Sequence, residues 1–196
     1  MLANSYVYSV DHGRVVDSAQ AHDDALSCMS MSDDVLVSGS WDSTLKVWKV
    51  LPSGIDKPAI ADFVDNDSEI NCVAIHSHLI AAGAADGACL SLPCVLKEAS
   101  ADDAHFGCCA GTVMLWDYRT GQVVGQHQTK GPAKALQFAP DGNKLVVSTE
   151  SGELTVLQLD GSVFISHRLA DPARCIATDG RRAVLGTYPT STLSTH

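Results

Sequence analysis

Three residues in the first quarter of the chain are of the types that hydrolytic enzymes use. His22 could act as a general base, Ser38 as a nucleophile and Asp42 as the carboxylate that orients the imidazole. A hydrolase also needs donors that stabilise an oxyanion, and no oxyanion loop is evident in this sequence. We therefore predict a structural role for the three residues and no enzymatic activity.

Histidines and carboxylates occur in two further groups that could be drawn as metal ligands. His76 and His78 lie in a predicted turn, and Asp102, Asp103 and His105 lie in a segment without strand periodicity. Neither group has the ligand spacing of a zinc site, so we interpret both as solvated loop residues. The sequence predicts no metal and no cofactor.

The elements that must position these residues recur along the chain. Residues 35–40 and 44–48 form two predicted strands joined by a tight turn, and the same pattern returns at 82–87 with 111–117 and at 145–157. Such a repeat is typical of the blades of a β-propeller. We predict an all-β fold, an incomplete β-propeller of about three blades with partial blades at both ends.

The repeat divides the chain into five regions. Residues 1–20 form the end of a partial blade, and residues 169–196 form another partial blade with an irregular tail. Between them, blade one spans 21–63, blade two 64–128 and blade three 129–168. A propeller that does not close leaves strand edges open, and open edges can pair with other chains. We therefore expect a fragment, a truncated isoform or an imperfect gene model, with possible self-association through the open blade edges.

Blade two is longer than the repeat allows. Trp48 and Trp116 stand 68 positions apart, whereas a blade repeat spans about 40–45 residues. Omitting residues 88–111, which hold four of the seven cysteines, shortens the spacing to 44 and restores the tight turn. Two interpretations remain open: a retained intron or gene-model error, and a genuine lid loop, since long insertions are often functional.

The composition argues against several classes of partner. Lys and Arg number 13 against 23 Asp and Glu, which gives a net charge of −10. This charge repels nucleic acids and anionic membranes and is compatible with a basic peptide. No apolar run approaches the roughly 20 residues of a membrane span, and no signal peptide is evident. We expect a cytoplasmic protein with reduced thiols that reaches membranes only through its partners.

The repeated units resemble the WD-repeat family. In that family four residues lock each blade: a His before the first strand, a Ser or Thr on the second, an Asp in the next turn and a Trp on the third. The resemblance assigns these roles to His22, Ser38, Asp42 and Trp48. A buried network of this kind stabilises a blade only when every member is satisfied.

The other two blades depart from the WD-repeat pattern. Blade two keeps Asp86 and Trp116 but has Ala82 at the position of the Ser. Blade three has Ser151 and Leu157 in place of the Asp and the Trp. The resemblance therefore implies a complete network in blade one alone.

One surface position is a candidate for partner binding. In the WD-repeat family the residue before the turn Asp lies on the face where ligands usually dock, and that residue is Trp41 here, beside Asp23 and Asp24. Tryptophan is enriched in binding hot spots, so we predict that these three residues contact a partner. The alternative is that Trp41 packs against the adjacent blade.

The order of the motifs narrows the resemblance to the C-terminal propellers of the BEACH-domain family. The motifs are 4–9, 22–25, 40–48, 86–87 with 112–113, and 174–175 with 179–180. One adaptor of that family binds a membrane-proximal segment of the tumour necrosis factor receptor through its WD repeats and couples the receptor to neutral sphingomyelinase. The resemblance implies such a signalling adaptor; the alternative is a generic WD-repeat scaffold of another BEACH-type membrane-trafficking protein.

Overall fold

The computed structural model describes residues 3–64, 69–84 and 111–187, and every regular element in these ranges is a β-strand. All strand pairs in these sheets are antiparallel. The predicted fold class, an all-β incomplete propeller, is confirmed. Among these residues no helix qualifies as a membrane-crossing segment.

Three complete sheets are flanked by two sheets of two strands each. We call the first two-stranded sheet the N-sheet, the complete sheets blades one, two and three, and the last two-stranded sheet the C-sheet. The N-sheet consists of β1 (Ala3–Ser9) and β2 (Arg14–His22). Blade one consists of β3 (Leu26–Ser32), β4 (Val35–Ser40), β5 (Thr44–Leu51), β6 (Gly54–Ile55) and β7 (Ala61–Val64).

The remaining strands follow in the same order. Blade two consists of β8 (Ile70–His76), β9 (Leu79–Ala84), β10 (Thr112–Asp117) and β11 (Gln122–Gln128). Blade three consists of β12 (Ala133–Phe138), β13 (Lys144–Thr149), β14 (Glu153–Gln158) and β15 (Val163–Arg168). The C-sheet consists of β16 (Ala173–Thr178) and β17 (Ala183–Thr187).

Apolar side chains pack between successive sheets. One cluster joins blade one to blade two and includes Val37, Val47 and Trp116. A second joins blade two to blade three, and a third joins the N-sheet to blade one. Because side chains alternate along a strand, each complete sheet presents one face to the preceding blade and the other to the following blade.

Close packing between blades requires small residues on the second strand. A Cβ atom placed on Gly39 would lie 2.6 Å from the Ile70 Cγ2 atom, and one placed on Gly83 would lie 2.7 Å from the Ala133 Cβ atom. Both distances are too short for carbon atoms that are not bonded. The glycines therefore allow the first strand of the next blade to approach the sheet.

The second and third strands of the three blades pair in equivalent registers. Gly39 faces Leu45 in blade one, Gly83 faces Val113 in blade two, and Ser148 faces Leu154 in blade three. The connection spans five residues in blades one and three, and residues 88–111 account for the excess in blade two. The predicted insert lies outside the described residues except for Gly111.

Candidate protein-interaction surface

A buried chain of hydrogen bonds crosses blade one. The Trp48 Nε1–H group donates to the Ser38 hydroxyl over 2.9 Å, and that hydroxyl lies 2.8 Å from His22 Nε2. On the opposite side of the imidazole, Nδ1 lies 3.1 Å from a carboxylate oxygen of Asp42. The structure therefore brings together His22, Ser38, Asp42 and Trp48.

The partners fix the direction of each bond. The Asp42 carboxylate can only accept, so we assign the proton of His22 to Nδ1, and Nε2 then accepts from the Ser38 hydroxyl. The Thr44 hydroxyl lies 2.7 Å from the same Nδ1 atom and donates to Asp42 over 2.6 Å. Every polar atom in this chain of contacts has a partner.

The Asp42 carboxylate also organises the backbone around it. It accepts the Asp23 N–H at 2.8 Å and the Thr44 N–H at 2.9 Å. Burial alone would raise the pKa of Asp42, but the hydrogen bonds from Thr44 and Asp23 outweigh burial and lower that pKa below its ordinary value. The network thus contains an ionised carboxylate that holds two loops together.

Burial lowers the pKa of His22, because a charged imidazole would lose its hydration. The nearby Asp42 carboxylate opposes this shift without cancelling it. With a proton on Nε2, the Ser38 oxygen would accept from both His22 and the Trp48 indole, and the Ser38 hydroxyl hydrogen would have no acceptor among these side chains. The neutral imidazole is therefore the form that fits the folded blade, and a structural role suits it better than general-base catalysis.

The candidate partner-binding residues lie together at one end of blade one. Trp41 is 51% exposed, and its backbone N–H donates to the Ala25 carbonyl over 3.0 Å. Asp23 and Asp24 are exposed on the segment before β3, and the Asp24 carboxylate accepts the Ala25 N–H at 2.7 Å. The fold thus presents an indole and two carboxylates on connected loops.

Blades two and three carry different residues at the corresponding positions. Trp116 is buried with Ala82 in the cluster between blades one and two, whereas Asp86 lies outside the described residues. In blade three the position of Trp41 is occupied by Glu150, which is exposed and lies 3.4 Å from the Lys134 ammonium group. The exposed tryptophan is thus specific to blade one among the described positions of this type.

Of the two groups drawn as metal ligands, the described one, His76 with His78, does not form a metal site. The His76 ring packs near Phe138, with ring centroids 6.1 Å apart, and His78 Nδ1 lies 3.3 Å from the Ser77 hydroxyl. Within the described ranges no three His, Cys, Asp or Glu residues could share a metal ion. The second group, Asp102, Asp103 and His105, lies outside those ranges.

Two cysteines on the first strands of the blades are core residues. Burial raises the pKa of Cys28 to about 11 and raises that of Cys72 further. Their thiols are therefore protonated and poor nucleophiles at neutral pH. Cys28 and Cys72 each face a glycine on the second strand, Gly39 and Gly83 respectively.

A cavity of about 410 Å³ lies beside the outer strand of blade three, and nothing in the sequence predicted it. Glu153 lies 3.2 Å from the Lys130 ammonium group and accepts from the Ser166 hydroxyl over 3.2 Å. The other residues that line the cavity are Ser151, His167 and Arg168. They come from separate turns and strands, so no spacing in the sequence could reveal the cavity.

The family comparison matches the segment that contains the hydrogen-bonded network. Residues 13–49 match the WD domain, G-beta repeat, and this range includes His22, Ser38, Asp42 and Trp48. A WD40 repeat is present in this chain. The match supports the interpretation of the chain as a protein-interaction module built on WD repeats, and it gives no support for an enzymatic activity.

Three curated relatives show how far the similarity extends. The chain is 25% identical over 127 residues to THO complex subunit 3 of Arabidopsis thaliana, covering 63% of this chain and 33% of that protein. It is 29% identical over 184 residues to BEACH domain-containing protein B of Arabidopsis thaliana, covering 87% of this chain and 7% of that protein. It is 36% identical over 50 residues to the periodic tryptophan protein 2 homolog of Caenorhabditis elegans, covering 26% and 6% respectively.

These alignments support a WD-repeat scaffold and only a coarse link to BEACH-domain proteins. The chain spans a third of the THO subunit and less than a tenth of the other two relatives. Among solved structures, the computationally designed Ika4 protein superposes with a TM-score of 0.63 at 20% identity. That match covers 89% of this chain and 92% of the Ika4 chain, and it bears on the fold alone.

Proposed function

We propose that the chain is a non-catalytic adaptor module similar to FAN, the factor associated with neutral sphingomyelinase activation. Its partner would be the membrane-proximal cytoplasmic segment of a tumour necrosis factor receptor, and the module would link that receptor to neutral sphingomyelinase. The observation that carries the proposal is the exposed Trp41 on a turn fixed beside two carboxylates. The module would act in the cytoplasm and reach the membrane through the receptor.

The geometry of the turn favours a binding role over a purely structural one. Trp41 leaves half of its surface exposed although its backbone is held by the Ala25 carbonyl. An aromatic side chain on a rigid support loses little conformational entropy when a partner covers it. The indole is therefore suited to anchor an extended peptide.

Charge favours a basic partner for this surface. Asp23 and Asp24 are exposed beside the turn, and the chain carries a net charge of −10. Complementary charge accelerates encounter and aligns the partner, whereas exposed ion pairs add little affinity. We expect the indole to supply most of the binding energy and the two carboxylates to supply the orientation.

The second candidate function is a generic scaffold of another BEACH-type membrane-trafficking protein. The similarity to BEACH domain-containing protein B favours it, because that alignment covers 87% of this chain. Both candidates use a WD-repeat surface and differ in the partner. Binding to the receptor segment would separate them.

The test is binding of a fluorescent peptide with the sequence of the receptor's membrane-proximal cytoplasmic segment, followed by polarisation. We expect Trp41→Ala to weaken binding by about 30-fold, the loss typical of a hot-spot tryptophan. The double variant Asp23→Asn/Asp24→Asn should slow association at low salt. Phe164→Ala is the matched control, because Phe164 is another exposed aromatic residue, 57% accessible, on the outer strand of blade three.

Two outcomes would contradict the adaptor proposal. If the folded chain does not bind the receptor peptide, the generic scaffold becomes the better interpretation. If the peptide binds and both Trp41→Ala and Phe164→Ala leave its affinity unchanged, the receptor contacts a different surface. Circular dichroism of each variant shows whether the blades are intact.

A further inference from the structure

The cavity beside blade three opens at the same end of the blades as the exposed Trp41. Its residue Ser151 lies in the turn between the second and third strands, where blade one has Asp42. Lys130, another of its residues, stands three positions before β12, as Asp23 stands three positions before β3. The cavity therefore lies on the face of the repeat where the candidate partner-binding residues of blade one lie.

The walls of the cavity belong to the interface between two complete blades. Glu153 and Arg168 stand directly opposite each other on β14 and β15, so both side chains lie on one face of the sheet. Leu157, on the same face of β14, packs in the cluster between blades two and three. This face is therefore turned toward blade two. The Lys130 ammonium group, on the connection from blade two, lies 3.2 Å from the Glu153 carboxylate.

Shorter side chains line this part of blade three than line the same part of blade two. Thr155 stands where blade two has Met114, and Ser166 stands where blade two has Gln126. Met114 is buried in the apolar cluster between blades one and two. Thr155 is buried as well, but its hydroxyl lies 3.3 Å from the Ser166 hydroxyl. The interface between blades two and three is therefore polar at this position, and its side chains fill less of the space.

One cation of the cavity is left without a carboxylate. The Glu153 carboxylate accepts from the Ser166 hydroxyl over 3.2 Å, and the charge of Lys130 matches its own. Burial would raise the pKa of Glu153, but the hydrogen bond and the charge of Lys130 lower that pKa below its ordinary value. Arg168 is exposed and forms no ion pair within the described residues, although it stands opposite Glu153. The cavity thus carries a surplus positive charge in a chain whose net charge is −10.

We propose that this cavity binds the phosphoryl group of a phosphorylated serine or threonine on a partner protein. The planar guanidinium of Arg168 can bind two phosphate oxygens at once. The Lys130 ammonium has three donors and gives one of them to Glu153, so it can bind the phosphate as well. This inference stands apart from the receptor-binding proposal and uses different residues.

A phosphoryl group fits this set of residues better than a carboxylate does. A carboxylate ligand would repeat what Glu153 already supplies to Lys130. A phosphoryl group carries a charge of about −1.5 to −2 at neutral pH and three acceptor oxygens. It can therefore bind Arg168 and Lys130 together while Glu153 keeps its hydrogen bond with Ser166. The volume of about 410 Å³ admits such a group together with the side chain that carries it.

The surroundings of the cavity favour a protein as the source of the phosphoryl group. The cavity opens on the same face as the candidate partner-binding residues of blade one, and the WD40 match supports a protein-interaction module. A membrane with phosphorylated lipids presents many negative charges, and the net charge of −10 opposes contact with it. A phosphorylated peptide carries its negative charge at one point and avoids most of this repulsion.

The first test uses the 196-residue protein and a fluorescent five-residue peptide that has phosphoserine at its centre and alanine elsewhere, followed by polarisation. We expect the phosphoserine peptide to bind at least about tenfold more tightly than the same peptide with serine. Arg168→Gln should weaken this binding by about tenfold or more, because it removes a bidentate charged contact. Arg119→Gln is the matched control, since Arg119 is exposed on the turn between β10 and β11, at the opposite end of blade two.

The second test uses the carboxylate that competes with the ligand. Glu153→Gln removes one negative charge and releases Lys130, while the amide oxygen can still accept from Ser166. We expect Glu153→Gln to bind the phosphoserine peptide severalfold more tightly and Lys130→Gln to bind it severalfold more weakly. A folding defect would weaken binding in both variants, so the opposite signs separate a binding effect from a structural one.

Several results would overturn the proposal. One is a phosphoserine peptide that binds no more tightly than the serine peptide, or that Arg168→Gln weakens no more than Arg119→Gln does. Equal binding of a peptide with glutamate at its centre would assign the cavity to carboxylates. Inorganic phosphate that binds as tightly as the peptide would assign it to the free ion. Arg168-dependent binding to vesicles of phosphatidylcholine and phosphatidylinositol phosphate, without binding of the peptide, would assign it to a lipid headgroup.

Discussion

Removal of the Ser38 hydroxyl should destabilise blade one out of proportion to the size of the change. That oxygen accepts the Trp48 indole N–H at 2.9 Å and lies 2.8 Å from His22 Nε2, to which it donates. Ser38 is fully buried, and His22 and Trp48 are 2% and 6% exposed, so water cannot replace the lost partner. The Ser38→Ala variant would leave one buried donor and one buried acceptor without a partner.

The expected magnitude follows from those two atoms. An unsatisfied buried polar group costs about 1–3 kcal/mol, so two groups that share one lost oxygen should cost roughly 2–6 kcal/mol. For a chain of this length, each kcal/mol lowers the melting temperature by about 2–4 °C. We therefore expect Ser38→Ala to melt roughly 4–24 °C below the parent protein.

Ser148→Ala is the matched control for this experiment. Ser148 is also fully buried, but its hydroxyl makes one hydrogen bond, 2.7 Å long, to the Ala173 carbonyl. We expect a loss near the lower end of the range, about 1–2 kcal/mol. Thermal and urea unfolding followed by circular dichroism would measure the free energy of unfolding of both variants.

A double-mutant cycle with Trp48→Phe tests the network directly. Phenylalanine removes the indole donor, so in this background Ser38→Ala leaves only the imidazole without a hydrogen-bond partner. Ser38→Ala should then lower the free energy of unfolding by about 1–2 kcal/mol less than it does in the parent protein. The reasoning is refuted if Ser38→Ala is no more destabilising than Ser148→Ala. It is equally refuted if the Ser38 and Trp48 substitutions are additive.

Three further predictions concern pH, packing and the long connection. Because the folded-state pKa of His22 is lowered, its stabilising contribution is present above about pH 6.5 and is lost as the pH falls toward the folded pKa. The free energy of unfolding should therefore fall less between pH 7 and acid pH in His22→Gln than in the parent protein. His12→Gln, on an exposed turn, is the control and should leave this fall unchanged. Gly39→Ala should lower the melting temperature, because its Cβ would lie 2.6 Å from a neighbouring side chain, whereas Gly131→Ala, with its nearest atom at 3.6 Å, should be nearly neutral. Deletion of residues 88–111 should preserve the circular dichroism spectrum and the thermal transition, and loss of the β-sheet signal would show that the segment is needed for folding.

The pattern of strands was predictable because it depends on local alternation and on a repeated turn. Leu45 and Val47 alternate with polar neighbours, and both are buried in the structure. The two-residue period therefore placed both residues on one face of β5, and the structure shows that this face packs on blade two. The identities of His22 and Trp48, by contrast, gained meaning from the resemblance to WD repeats, and the distances that join them required coordinates.

Other features depend on contacts that no spacing reports. The short strand β6 forms next to β5, and its Ile55 N–H donates to the Asp17 carboxylate of the N-sheet over 3.0 Å. This hydrogen bond, together with one from Ser18, lowers the pKa of Asp17.

The incomplete network of blade three does not imply a weak blade. At the position of Ser38, blade two has Ala82 and blade three has Val147, and both are fully buried. In blade three Val147 shares an apolar cluster with Leu157, which stands where blade one has Trp48. Replacing both partners of a buried hydrogen bond by apolar groups can be nearly neutral, whereas removing one partner is costly.

The polar network of blade one holds the loops beside Trp41, which apolar packing could not do. In blade one the Asp42 carboxylate binds the backbone of Asp23 and of Thr44, so it fixes the loops on both sides of Trp41. Apolar residues can fill the same volume, but they offer no acceptors to those N–H groups. The blade with the complete network is also the blade that presents an exposed tryptophan, and we expect Asp42→Asn to weaken partner binding through the loss of that support.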